Sequence, residues 1–150
     1  MLPATNRRVA SHTCDAVNRQ IAQQTRERIA HFSKRSHQEI SQRLDELDHE
    51  WDIERALECN ASALAFSGVM MAASVDRRWL ILPAAVTAFL FQHAVQGWCP
   101  PLPILRRMGF RTSAEINEER YALKALRGDF EQIHRENPAA PQAAFAAASQ

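Results

Sequence analysis

The residues able to do chemistry in this chain are few and widely spaced. Two Glu-x-x-His pairs, Glu46 with His49 and Glu131 with His134, have the spacing with which di-iron helical bundles aim a carboxylate and an imidazole inward. At about 100° per helical residue, Glu46 and His49 lie roughly 130° to 170° from the apolar stripe Ile40, Leu44, Leu47 and Trp51, so they face away from any packed seam. The second pair is also off-centre, and no further bridging glutamates are evident. Both pairs therefore read as solvated faces, and neither a metal nor a cofactor is expected. Cys14, Cys59 and Cys99 form no Cys-x-x-Cys pair and no His/Cys ligand spacing, which excludes a standard zinc module and leaves no even-numbered disulfide framework. No nucleic-acid partner is expected.

A better constellation lies where the charges stop. Of 18 Lys plus Arg and 17 Asp plus Glu, none falls between Cys59 and Val75 or between Trp79 and Leu105; only Asp76, Arg77 and Arg78 separate the two windows. On a helix through the first window, Glu54, Glu58, Ala61, Ala65, Gly68 and Ala72 share one face, a stripe of small residues continued by two carboxylates. On the second, Ala85, Ala88, Gln92, Gln96 and Cys99 cluster, with His93 at the edge. If the helices are antiparallel and these faces meet, residue 58 is level with about 98, and Glu58, Gln92, His93, Gln96 and Cys99 form a candidate polar site at one end. Polar groups at membrane depth default to a functional reading, but Gln and His near a helix end also serve simply as hydrogen-bond partners of a neighbouring helix. Cys99 would sit at the negative end of a helix dipole close to Glu58, opposed by Arg106 and Arg107, and is expected to be a sluggish nucleophile.

These residues must be positioned by a helical hairpin. The 17 uncharged residues from Cys59 to Val75 would span about 25 Å as a helix, slightly short of a hydrocarbon core of about 30 Å. The second window is stronger: Trp79 and Trp98 stand at its ends as interfacial aromatics, and Arg77, Arg78, Arg106 and Arg107 are cationic anchors. We expect two spans, about 59–76 and 79–98, within a hairpin over 58–99, in the lipid bilayer of a bacterial inner (plasma) membrane. A link as short as Asp-Arg-Arg makes the arms antiparallel, and the arginine balance places both termini in the cytoplasm. The N-terminus has no apolar run and is not a secretory signal peptide.

The flanks are expected to be helical too, making the chain an all-α membrane protein with amphipathic cytoplasmic helices on both sides of the hairpin. Four glycines and one tyrosine argue against a β fold. Residues 1–15 lack periodicity and are expected to be a flexible arm. Residues 16–57 form one long helix, or two with a break near Ser33 to Ser36. Its last part, with seven acids against Arg55 over 45–58, is amphipathic over about 38–57. Ile40, Leu44, Leu47 and Trp51 need a partner; the acidic face disfavours anionic lipid and favours a cytoplasmic protein. Pro100, Pro101 and Pro103 end the second arm and open a Pro-rich connector over 100–111. A final amphipathic helix starts at Thr112 or Ser113, where Thr112 and Glu115 have capping-box spacing, and extends through about 136. The Ala/Pro-rich 137–150 reads as a disordered tail.

At QHAVQGWCPPLPILRRMG the chain resembles the YgaP-like transmembrane domain family, small bacterial inner-membrane hairpins whose second helix ends in a Cys-Pro segment. The resemblance covers about residues 57–110 and rests on two short apolar arms, a small charged link and Gly97, Trp98, Cys99 and Pro100. It implies a membrane hairpin and oligomerisation through it. Some members carry a rhodanese sulfurtransferase; no rhodanese active-site loop is present here, and the resemblance does not extend to the flanking helices.

Three functions are compatible with these residues. The first is a non-enzymatic, homo-oligomeric membrane scaffold or adaptor. The second is a small-solute or anion pathway formed by an oligomer around Gln92, His93 and Gln96, since two helices cannot enclose a pore alone. The third is a thiol-dependent membrane enzyme using Cys99.

Overall fold

In a computed structural model that describes residues 4–131, 133 and 139–149, every regular element is helical. The helices are α1 (Asp15–Phe32), α2 (His37–His49), α3 (Ile53–Ser74), α4 (Ile81–Gln96), α5 (Leu102–Arg107), α6 (Ser113–Arg127) and α7 (Ala140–Ser149), with 3-10 turns at Ala10–His12 and Arg77–Leu80. The chain divides into two compact units, Met1–Ile21 with Trp51–Ala114 and Ala22–Glu50 with Glu115–Gln150.

In the first unit α3 and α4 form the hairpin. Asp52 caps α3 by accepting the Arg55 N–H at 2.8 Å and also takes the Ser113 hydroxyl. Because that cap starts a new helix, the amphipathic element expected over 38–57 is broken at Glu50 to Asp52, and Trp51 lies exposed between helices beneath the Arg55 guanidinium, 4.5 Å from the ring centroid. Gly68 sets the spacing of the hairpin: a Cβ there would lie 2.5 Å from Cδ of Pro83. The small stripe of α3 faces α4 as expected, with Ala61, Ala65 and Ala72 half-buried and Gly68 buried. On α4, however, Ala85 and Ala88 are exposed, and the seam is Leu82, Pro83, Val86, Leu90 and His93. Large side chains of α4 fill the groove left by small ones of α3, which two small faces could not do.

The second arm ends at Gln96, not at the prolines. Gly97 adopts φ 83°, and its N–H returns to the His93 carbonyl at 2.7 Å; Pro101 and Pro103 instead open the short helix α5. A Cβ at Gly97 would also meet the Arg8 carbonyl oxygen at 2.5 Å, because the N-terminal segment crosses here. That segment is not the flexible arm expected: Val9 is 3% exposed and packs with Ile53, Leu57, Cys99, Leu102 and Leu105. Arg106, expected as an interfacial anchor, is 1% exposed and donates to Thr13 Oγ1, Asn18 Oδ1 and the Phe110 carbonyl, so it ties this segment down from inside. Arg77, Arg78, Arg107 and Trp79 are exposed, while Trp98 is half-buried against the core.

Outside this base the hairpin is bare. Leu64, Phe66, Val69 and Met70 of α3, and Leu80, Ile81, Phe89 and Phe91 at and along α4, are all exposed. Two helical stretches are long and apolar enough to cross a membrane, and only 17% and 6% of their apolar windows is buried, unlike core helices of a water-soluble protein.

The second unit inverts this pattern. Ser36 and Glu39 close a capping box at the start of α2, after the break that follows Phe32. Ile40, Leu44 and Leu47 are buried against Ile116 and Leu123 of α6, with Phe32 alongside. Of the stripe for which a cytoplasmic protein partner was expected, Ile40, Leu44 and Leu47 are therefore covered from within the chain, while Trp51 is exposed. Glu119 of α6 is fully buried and pairs with Arg28 at 2.9 Å and Arg43 at 3.0 Å. α6 stops at Arg127, shorter than expected, and Arg127 clasps Asp129 through two hydrogen bonds of 2.7 and 2.6 Å. Where a disordered tail was expected, Ala140–Ser149 is helical: alanine has the strongest helix propensity, and the Lys124 ammonium donates to the Ala147 and Ala148 carbonyls at its C-terminal end.

Candidate functional site

The polar group at the base of the hairpin is built on the two helix ends that meet there. Glu54 lies in the first turn of α3, where its charge complements the helix dipole, and His93 lies in the last turn of α4. His93 is 2% exposed, and its Nε2 lies 2.8 Å from Glu54 Oε2. The other carboxylate oxygen accepts from Arg8 Nη2 at 2.9 Å. The His93 hydrogen bond, followed by that of Arg8, holds the Glu54 carboxyl below its ordinary value of 4.5 against the opposing effect of burial.

With Nε2–H committed to Glu54, Nδ1 is the ring's remaining acceptor; it is buried and has no hydrogen-bond partner. Cys99, beyond the end of α4, is 4% exposed and packs in the core with Val9, Ile53 and Leu57. Cys99 also lines an apolar groove of about 360 Å³ between α3, α4 and α5, whose walls include Leu57, Ala61, Leu64, Val86, Phe89 and Ile104. Asn60 is the polar side chain in this wall, and its amide donates to the Ala56 carbonyl.

Of the five site residues read from the sequence, His93 and Cys99 are buried. Gln92 is half-buried beside them in the chain, whereas Glu58 and Gln96 are exposed. The carboxylate is Glu54, one turn earlier than Glu58. Both occupy the same face of α3, so only the axial register separates them. The 3-10 turn Arg77–Leu80 and the Gly68–Pro83 contact shift that register toward the N-terminus of α3. Arg8 carries no sequence signal, since nothing local predicts that the N-terminal segment crosses Gly97.

The Glu-x-x-His pairs take no part. Glu46 is exposed and pairs with Arg43, the His49 ring meets the Asp45 carbonyl, and His134 lies outside the described residues. Among the described residues there is no cluster of three metal-ligating side chains. No protein-family model, curated protein or solved structure matches the chain.

Proposed function

We propose that this chain is an integral membrane protein of the bacterial inner membrane. In this reading it is a non-enzymatic, oligomeric scaffold whose α3–α4 hairpin lies in the bilayer with both termini in the cytoplasm. The observation that carries this reading is the exposed apolar surface of the hairpin, uninterrupted by charge from Cys59 to Val75 and from Trp79 to Leu105. A monomer in water rarely exposes so continuous a patch, whereas lipid solvates it without cost. The arginines that follow the second arm outweigh Arg77 and Arg78 in the turn, which supports the orientation. Ala85 and Ala88, small and outside the intramolecular seam, offer α4 a close approach to a second copy. The likeness of residues 57–110 to the YgaP-like hairpins accords with the same reading. The second unit, with its apolar stripe internally covered, leaves a charged surface as the cytoplasmic module that the hairpin would tether.

Fractionation tests the proposal. The protein is expected to stay in the membrane pellet through carbonate and high-salt washes, and recovery as a soluble monomer without detergent would overturn it. A single cysteine placed at position 5 or 145 is expected to be protected from an impermeant thiol reagent in intact cells; labelling there would reverse the orientation.

A further inference from the structure

We infer that the apolar groove between α3, α4 and α5 holds one acyl chain of a zwitterionic phospholipid with a primary ammonium, its phosphate met by Arg107 and its ammonium by Glu58. This rests on the membrane reading above and names the lipid that the hairpin retains. The groove, of about 360 Å³, lies wholly within the first unit and is within the size range of small-molecule sites. It begins between Leu57 and Leu105 at the base and reaches Leu64, about 10 Å further along α3 at 1.5 Å per residue. Its wall is mainly aliphatic and aromatic carbon, and the amide N–H of Asn60 is taken by the Ala56 carbonyl. Such a wall gives a hydrocarbon chain favourable burial and offers a polar solute little to bond. Leu64, Phe89 and Ile104 belong to the wall and are themselves exposed, so the groove opens onto the bare apolar surface of the hairpin. A chain can enter it sideways from lipid.

The charges beside the groove select the head. Glu58 follows Leu57 and stands one turn before Ala61, and Arg107 stands one turn after Ile104, so each is a helical neighbour of a different wall. Both are exposed. Among the described residues neither enters an ion pair, whereas Glu54 is held by Arg8 and His93. One free anion and one free cation flanking the same apolar groove match a head that carries both signs. An anionic head would bring like charge to Glu58, and a quaternary ammonium has no N–H to donate to it.

The test titrates the purified, delipidated full chain in neutral detergent micelles with phosphatidylethanolamine, phosphatidylcholine or phosphatidylglycerol of identical acyl chains, and counts retained lipid by native mass spectrometry. One phosphatidylethanolamine per chain is expected, held about 10-fold more tightly than either of the others, the order of one charge-assisted hydrogen bond. Glu58→Gln should erase the preference over phosphatidylcholine. Arg107→Gln should weaken all three lipids alike, because each carries a phosphate. Glycerophosphoethanolamine, the head without its chains, should not compete. Both substitutions fall at exposed positions, and circular dichroism checks that helicity is kept. Equal retention of the three lipids, a preference for phosphatidylglycerol, a phosphatidylethanolamine preference that survives Glu58→Gln, or competition by the chainless head would overturn the proposal. Carbonate fractionation reports on the membrane reading separately: selective retention by a chain that proves soluble would count against bilayer placement, and membrane association without lipid preference would count against the groove assignment alone.

Discussion

The two units of this protein solve the same problem in opposite directions. In the second, helices α2 and α6 turn their apolar stripes toward each other and leave arginines and acids outside, with Glu119 sunk between Arg28 and Arg43. In the first, the α3–α4 hairpin keeps small residues and a buried His93–Glu54 pair inside and turns phenylalanine, leucine, isoleucine and methionine outward. An amphipathic pattern alone says that one face is buried. It does not say against what. Under the membrane reading proposed above, the outward apolar groups of the first unit face lipid, and the polar group at its base is the part kept from it.

The sharpest way to break this comparison is to attack the buried charge in the second unit. Glu119→Ala leaves Arg28 and Arg43 without their shared carboxylate and should cost about 3–5 kcal/mol, seen as lost amide hydrogen-exchange protection in α2 and α6. A loss below about 1 kcal/mol would show that water reaches the cluster. For the first unit, Val69→Arg separates the two solvents. At an exposed position in water it should be neutral, whereas at the centre of a bilayer span it should cost about 3 kcal/mol of insertion, read as escape from carbonate-washed membranes. Leu126→Arg, exposed in the second unit, is the control and should change neither quantity. Equal behaviour of the two variants would remove the distinction drawn here.

Gly97→Ala probes how the base of the hairpin is closed. Both Gly97 and Gly109 have positive φ, 83° and 95°, but only at Gly97 does a Cβ strike the crossing N-terminal backbone. We expect about 2–3 kcal/mol lost at Gly97 and about 1 kcal/mol at Gly109, by denaturation in micelles. Similar losses would mean that the N-terminal segment yields. In the second unit Ser36→Ala removes one half of the α2 capping box and should cost about 1 kcal/mol, with fraying confined to the first turn of α2. The smallest effect is a dependence on acid. Because the folded Glu54 carboxyl is held below its ordinary value, its contribution is complete above that value and is lost as pH falls through the depressed one. Stability of the first unit should therefore decline on the acid side of the carboxylate range, and Glu54→Gln should flatten that decline; an unchanged profile would detach Glu54 from the fold.

How much of this was legible beforehand differs from element to element. The break near Ser33 to Ser36 and the small face of α3 follow from local chemistry and the helical period. The period failed at Trp51, where a local competitor, the Asp52 cap, ended one helix and began another. It also failed on α4, whose weak polarity leaves every face plausible; the face that packs was settled by the shape complement of Gly68 and Pro83.

What the sequence determined by itself is the helical character of the chain, the partition of charge from apolar surface, and the set of residues that share each helix face. All of these depend on neighbours within a few positions. What only the tertiary structure decided is which of those faces meet and at what height. It chose Glu54 over Glu58, covered the α2 stripe with α6, buried Arg106, and laid Arg8 across Gly97. The reason is physical: helical periodicity fixes angle about an axis, whereas register along that axis comes from contacts between side chains distant in sequence, and a one-turn shift changes every partner at no cost to the pattern.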